Sequence, residues 1–155
     1  MKIRRVFANN RKKSFVLETR DGSLNFPYSE LKLKPSPEDP IIRVIADSEL
    51  ANEAFTYTLR SGREDSILLD EVLHYNQDQE YLSALMLHEL TVKALRALAA
   101  RKISKRELAR KLKTSPRQLY RLLDPSFYGK TLDQMVKLLR ALGLKVELRI
   151  NKEAA

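Results

Sequence analysis

The feature that most constrains the fold is a series of three helix-start signals between residues 104 and 134. In each signal a hydroxyl residue is followed, three residues later, by an acid or an amide: Ser104 with Glu107, Ser115 with Gln118, and Thr131 with Gln134. Each pair predicts a capping box, in which the hydroxyl accepts from the third helical amide and the acid or amide reaches back. Pro116 is favoured at a first helical position, where its missing N–H costs no hydrogen bond. We therefore expect helices from about residues 105, 116 and 132, with a three-residue turn at 113–115 between the first two.

These predicted helices are amphipathic when residues are placed at 100° intervals. In the first helix, Leu108 and Leu112 form the apolar stripe beside the small Ala109. The middle helix places three leucines opposite three polar residues: Leu119, Leu122 and Leu123 against Arg117, Gln118 and Arg121. The predicted apolar cluster of the third helix is Leu132, Met135, Val136, Leu139 and Leu142.

The first 77 residues are predicted to form an antiparallel β-meander. Six short segments rich in β-branched and aromatic residues indicate strands, at 3–8, 14–19, 23–31, 41–48, 54–62 and 66–73. Asp21-Gly22 is a strong hairpin signal, residues 60–65 are a weaker one, and the three prolines of 34–40 indicate a loop. From Asp78 the apolar period becomes helical, and we expect a break near 89–91, where Thr91 can cap a new helix. The predicted division is a β-rich domain at 1–77 and a helical domain at 78–150.

The positive charge is concentrated in the second half of the chain. The net charge is +9, but residues 1–89 carry 12 Lys/Arg against 15 Asp/Glu, whereas residues 90–155 carry 17 against 5. The first half therefore has a net charge of −3 and the second half a net charge of +12. Such asymmetry favours a polyanionic partner for the second half.

Several other classes of function are disfavoured. The chain has no cysteine and only two histidines, so neither a metal nor a cofactor is expected. No apolar run is long enough to span a membrane and the first residues lack the core of a secretory signal, so we expect a cytoplasmic protein. Carboxylates at Glu64, Asp65, Asp70 and Glu71 flank turns and are expected to be solvated, and His88 is expected to pack or cap. We therefore do not expect an enzyme.

Residues 104–148 resemble the Cro/phage-repressor (XRE-type) helix-turn-helix family, which includes antitoxins that repress their own operons. The resemblance rests on Leu108, Ala109, Leu112, Lys113, Thr114 and Ser115, then Leu119 and Leu122, and a closing Leu138, Leu139, Ala141, Leu142, Gly143 and Leu144. It implies an α+β protein in which the β-meander precedes an all-α, lambda-repressor-like domain with its helix-turn-helix at 105–124. The turn position that usually holds glycine is Lys113, so this residue is expected to adopt a left-handed conformation, or the turn to adjust.

The resemblance also implies the residues that contact DNA. The base-reading positions fall on Ser115, Arg117, Gln118 and Arg121, and a phosphate-contacting position falls on Lys105. Arginine can bond to guanine O6 and N7, and glutamine can pair with adenine N6 and N7. Further candidates for contacts to the DNA backbone are Thr114, Tyr120 and Lys130, although Tyr120 can equally pack within the protein.

Three functions remain open. The first is a sequence-specific transcriptional regulator, a repressor that binds double-stranded DNA as a homodimer on a near-palindromic operator. The second is an antitoxin of a type II pair, which neutralises a toxin protein through its β region or long helix and autoregulates its operon. The third is non-specific nucleic-acid binding. The dimer interface is not assigned, but residues 144–150 (LKVELRI) are expected to form a strand that joins the chain's own β region or pairs with a second copy.

Overall fold

The computed structural model describes residues 1–152 and contains six strands and five α-helices. The strands are β1 (Ile3–Asn9), β2 (Ser14–Thr19), β3 (Ser23–Pro27), β4 (Ile41–Ala46), β5 (Ala54–Leu59) and β6 (Glu64–Leu68). The helices are α1 (Leu69–Tyr75), α2 (Gln79–Arg101), α3 (Lys105–Lys111), α4 (Pro116–Leu122) and α5 (Leu132–Ala141). A short 3-10 helix, Tyr28–Glu30, follows β3.

The contacts divide the chain into two compact units, Met1–Leu82 and a second that starts at Ser83. The first turn of α2 is therefore grouped with the first unit and the rest of α2 with the second. The domain division proposed from the sequence, between residues 77 and 78, stays a prediction.

The β region contains two antiparallel three-stranded sheets, β1-β2-β3 and β4-β5-β6, and not the single meander that was predicted. Residues 34–40 form the predicted loop between β3 and β4, and the prolines there have no N–H with which to continue a ladder. Both predicted hairpins are present, with Gly22 and Gly62 at positive φ in their turns. The α+β class is confirmed, while the single meander is replaced by two separate sheets.

The two sheets share one hydrophobic core. The ring of Phe15 on β2 lies 4.8 Å from that of Phe55 and 5.3 Å from that of Tyr57, both on β5. These three side chains are fully buried, and Val72 and Leu73 of α1 join the same core. The first unit therefore has a core of its own.

The strand predicted at 66–73 is wrong beyond Leu68, because α1 begins at Leu69. The carboxylate of Glu71 accepts a hydrogen bond from the backbone N–H of Leu68 at 3.3 Å, which satisfies one N–H at the start of the helix. Leu69, Val72 and Leu73 are buried at helical spacing. Short apolar runs of this kind fit either a strand or a buried helix.

The break predicted near residues 89–91 is also absent, since α2 is continuous over 23 residues. The Thr91 hydroxyl does not cap a new helix. It donates instead to the carbonyl of Leu87, one turn earlier, at 2.7 Å. A threonine bonded in this way is compatible with an uninterrupted helix.

The second unit is an all-α core built from α2 to α5. Its buried apolar residues are Ala94, Leu98, Leu108, Ala109, Leu119, Leu122, Leu123, Met135, Leu138, Leu139 and Leu142. The predicted buried face of α5 is only partly correct: Leu132 is 63% exposed and Val136 is half-buried, while Leu138, which the prediction left out, is fully buried. Leu132 is the first residue of α5 and lies beyond the core, although it is on the same side of the helix as the buried residues.

The segment 144–150 does not form the strand that was considered from the sequence. It has no regular secondary structure and joins neither sheet. α5 ends instead in a tight turn, with Gly143 at φ +78° and the Leu144 N–H donating to the carbonyl of Leu139 at 3.0 Å.

Candidate nucleic-acid interface

The helix-turn-helix is formed by α3, a short turn and α4. The predicted starts of α3, α4 and α5 are confirmed. At the end of α3 the N–H of Lys113 donates to the carbonyl of Arg110, and the N–H of Thr114 donates to that of Ala109, both at 3.1 Å. These two bonds define a Schellman motif, in which one residue must be left-handed. Lys113 is that residue, with φ +51°, as its place in the motif predicts.

The start of α4 is held by Ser115, whose hydroxyl accepts from the N–H of Gln118 at 3.1 Å. Ser104 caps α3 in the same way, accepting from the N–H of Glu107 at 3.1 Å. Only Thr131 and Gln134 complete a reciprocal capping box. For α3 and α4 the prediction of a full box is therefore wrong. The side-chain amide of Gln118 makes no hydrogen bond with the described residues.

The two faces of α4 differ sharply in burial. Leu119, Leu122 and Leu123 lie in the core, whereas Arg117 and Arg121 are exposed one turn apart. Neither arginine forms an ion pair within residues 1–152. Like charges four residues apart destabilise an isolated helix by roughly 0.2–0.5 kcal/mol. The exposed face of α4 is thus a small, uncompensated cationic surface.

Two of the predicted backbone contacts lie next to each other. The ammonium of Lys105, at the start of α3, is 5.0 Å from the centre of the Tyr120 ring on α4. Tyr120 is 57% exposed, so its hydroxyl remains accessible while the ring supports a cation–π contact. Thr114 is half-buried in the turn. The structure brings Lys105 and Tyr120 together at one edge of the helix pair.

Lys130 is placed differently from the prediction. It is only 5% exposed, and its ammonium donates to Thr91 Oγ1 at 2.6 Å, to the Asp124 carbonyl at 2.8 Å and to the Leu122 carbonyl at 3.1 Å. Burial lowers the pKa of Lys130, and the charge of Asp124 partly opposes this effect. All three N–H donors are occupied, so the expectation that Lys130 contacts a DNA phosphate does not fit this structure.

Lys130 instead connects the end of α4 to the middle of α2. A lysine near a helix C-terminus can satisfy carbonyls that have no partner within the helix. The loop between α4 and α5 is further shaped by Asp124, whose carboxylate accepts from the hydroxyl and N–H of Ser126 at 2.6 and 2.9 Å. These bonds from Ser126 lower the pKa of Asp124. The sequence feature that could have indicated this contact is Thr91, a hydroxyl residue within the apolar period of α2, which the sequence analysis interpreted as a helix cap.

The described residues contain no group of three or more His, Cys, Asp or Glu side chains placed to hold a metal ion. None of the described helices is both long and apolar enough to cross a membrane.

Comparison with known proteins supports a helix-turn-helix at α3 and α4. Residues 95–147 match the family model described as the Cro/C1-type HTH DNA-binding domain, which covers the end of α2 and all of α3, α4 and α5. No curated protein and no solved structure gave a significant match to the chain. The match includes the capped turn, the left-handed Lys113 and the exposed arginines. The second unit of this chain contains a helix-turn-helix DNA-binding domain of the Cro/C1 type.

Proposed function

We propose that this chain is a sequence-specific transcriptional regulator that represses by binding, as a dimer, to a near-palindromic DNA site. The observation that carries the proposal is that Arg117 and Arg121 of α4 are both exposed and that neither forms an ion pair with any residue of 1–152. An arginine that forms two hydrogen bonds to guanine contributes about 1–3 kcal/mol of discrimination against the wrong base. Ser115 and Gln118, at the start of the same helix, complete the proposed base-reading set.

The neighbouring residues support a role in positioning. Lys105, Thr114 and Tyr120 are proposed to contact the DNA backbone, since such contacts fix register without reading sequence. The Lys105 ammonium contacts the Tyr120 ring, and this contact restricts the positions that the charged group can occupy. Lys130 has no part in this proposed set.

A dimer follows from the small size of one reading helix. α4 has only seven residues, so one copy can read only a few base pairs. Two copies related by a two-fold axis would read two half-sites one helical turn, about 34 Å, apart. The operator is therefore proposed to be near-palindromic.

The test is selection of bound sequences from a random DNA pool, carried out with the full chain and with Arg117→Ala and Arg121→Ala. Each variant is expected to lose about 1–3 kcal/mol of discrimination at particular base pairs and keep it elsewhere. Arg20→Ala, which removes the same charge from an exposed hairpin of the β region, is the matched control and should retain the sequence preference. A wild-type protein that binds scrambled DNA equally well, or a double arginine variant with unchanged preference, would contradict the proposal.

A second candidate function is that of an antitoxin which also represses its own operon. It is favoured by β4, an edge strand of its sheet that exposes Ile42 and Ile45. Exposed apolar side chains on an edge strand are suited to a protein partner. Co-expression with the product of the adjacent gene, followed by co-purification and comparison with Ile42→Lys, tests this role. A small basic RNase-like partner that the variant fails to retain would favour it over a regulator without a toxin.

A further inference from the structure

The first unit contains a solvent-facing cleft with three lysines in its lining. The cleft lies between the β1–β2 turn at 10–13, the 3-10 helix and the loop 34–40, and has a volume of about 600 Å³. Clefts of this size commonly bind small molecules. Lys12 and Lys13 reach it from the turn and Lys34 from the loop. All three lysines are exposed, and none forms an ion pair with any residue of 1–152.

The positive charge of this cleft contrasts with the rest of the first unit. Residues 1–82 carry 14 Asp/Glu and only 12 Lys/Arg, yet no Asp or Glu is among the residues that line the cleft. Of the neighbouring acids, Glu30 lines a different cleft and Glu38 is exposed outside the lining. The carboxylate of Asp39 is occupied by Arg63, at 2.9 Å. Cations from two separate segments, left without a counterion at one cleft, indicate an anionic ligand.

Hydrogen bonds within the first unit hold the walls of the cleft in place. The Tyr28 hydroxyl donates to Asn10 Oδ1 at 2.9 Å, and the Asn10 amide donates to the Ile41 carbonyl at 3.2 Å. The N–H of Tyr28 donates to the carbonyl of Lys13 at 2.9 Å, which joins the 3-10 helix to the turn. The cleft is therefore formed before a ligand arrives, and a preorganised site loses less free energy to ordering when it binds.

We propose that this cleft binds a nucleoside diphosphate. The site goes beyond the proposed function and does not depend on it. Lysine binds phosphate as a compact point charge. A phosphate group carries roughly −1.5 to −2 charges at pH 7, so two such groups match three lysines, which a single carboxylate would not.

The remaining residues of the lining suit a nucleoside better than a lipid tail. Four prolines and the edge of Tyr28 provide apolar surface for a base. The Asn10 amide and the hydroxyls of Ser29 and Ser36 belong to the same lining, and each can still form a further hydrogen bond. A lipid tail would cover these polar groups without giving them partners, which is unfavourable. A base and a ribose supply both donors and acceptors.

Isothermal titration calorimetry of the full chain with ADP, GDP, CDP and UDP tests the proposal. At least one of them is expected to bind once per chain with a Kd below about 100 μM. Its nucleoside alone and pyrophosphate alone should each bind at least about tenfold more weakly, because each makes only part of the contacts. If no diphosphate binds, or if pyrophosphate binds as tightly as the nucleoside diphosphate, the proposal is wrong.

Lys13→Asn and Lys34→Gln test whether the lysines hold the phosphates. Asparagine tolerates the left-handed conformation of Lys13, at φ +52°, so the turn should keep its shape. Each variant should raise the Kd about fivefold, and the double variant about 25-fold. Lys32→Gln changes an exposed lysine that does not line the cleft, and this matched control should bind like the wild type. An unchanged Kd in the double variant, or an equal loss in the control, would overturn the proposal.

Two further variants separate the cleft from other sources of affinity. Ser29→Trp fills the cleft from an exposed position without changing the charge, and should abolish measurable binding. Arg117→Ala/Arg121→Ala should bind the diphosphate like the wild type, because these arginines lie in the second unit. Loss of binding in the arginine variant would place the nucleotide on α4 and contradict the proposal. The cleft variants leave α4 unchanged, so failure of this proposal and failure of the proposed function are distinguishable.

A short single-stranded DNA provides the last comparison. Such a strand also presents phosphates and bases, but it binds along extended cationic grooves. It is expected to bind Lys13→Asn/Lys34→Gln as tightly as the wild type. If the strand binds more tightly than every diphosphate and loses that affinity in the double lysine variant, the cleft belongs to a nucleic-acid strand and the proposed ligand is wrong.

Discussion

Replacing Lys130 by methionine distinguishes an internal anchor from a DNA contact. The ammonium makes three hydrogen bonds of 2.6–3.1 Å, to Thr91 Oγ1 and to the carbonyls of Leu122 and Asp124. Hydrogen bonds to charged groups contribute about 1.5–3 kcal/mol each. These are net values, and the contributions of three bonds made by one ammonium do not add in full. Methionine keeps the unbranched apolar stem, so the net loss in the free energy of unfolding should be about 2–4 kcal/mol.

The assay combines denaturant unfolding with DNA affinity measured at several salt concentrations. Lys130→Met should lower the unfolding free energy while leaving the slope of log K against log salt unchanged under conditions where the protein stays folded. A phosphate contact would behave in the opposite way, with unchanged stability and a slope reduced by about one. Lys105→Ala, at an exposed residue, is the matched control and should show that second pattern.

A double-mutant cycle with Thr91→Val isolates one of the three bonds. Valine keeps the shape of threonine but removes the hydroxyl that accepts from Lys130, and the single variant should cost about 1 kcal/mol. If the two side chains interact, the double variant should cost less than the sum of the single variants, by about 1 kcal/mol. Strict additivity, or a Lys130→Met variant as stable as the wild type, would refute the anchor.

Three further predictions concern the turn, the helix crossing and acid stability. Lys113→Gly should raise the free energy of unfolding by about 0.5–1 kcal/mol, because glycine adopts the left-handed conformation without strain; thermal unfolding checks the sign. Ala109→Leu should lower it by about 1–3 kcal/mol through overpacking of a buried position, measured by denaturant unfolding. Hydrogen bonds from the N–H and hydroxyl of Ser61, and the guanidinium of Arg63, lower the pKa of Asp39. The pKa of Asp39 is lower in the folded protein than in the unfolded chain, so the ionised carboxylate stabilises the fold fully above about pH 4. This stabilisation is lost as pH falls through the folded-state pKa. Asp39→Asn should therefore flatten the acid side of a plot of unfolding free energy against pH.

The sequence was most informative where the structural cause is local. A serine followed by proline sets the start of α4 without help from distant residues, and Ser104 and Thr131 act in the same way on their own helices. The left-handed conformation of Lys113 was likewise predictable, because it follows from two hydrogen bonds within six residues of chain. The separation of buried leucines from exposed arginines on α4 needed only the helical period.

The sequence was less informative where burial depends on distant parts of the chain. Residues 66–73 contain an apolar run that fits a strand or a helix, and the choice at Leu69 depends on what Val72 and Leu73 pack against. Leu132 has the right angle on α5 for burial but lies at the end of the helix, outside the core. The pairing of strands into two sheets is similarly a property of the whole first unit, which no local pattern specifies.

Lys130 and Thr91 show how one tertiary contact can cause two separate errors of prediction. Lysine is rarely buried without partners, so an isolated lysine beside a reading helix is naturally interpreted as a phosphate contact. A threonine in the middle of a long apolar period is as naturally interpreted as a helix cap. The two residues are 39 positions apart, and their contact gives the ammonium an acceptor and leaves the hydroxyl to donate back along α2. The contact therefore explains why Lys130 is absent from the exposed surface, and it places the Thr91 hydroxyl in the interior of α2, where it caps no helix.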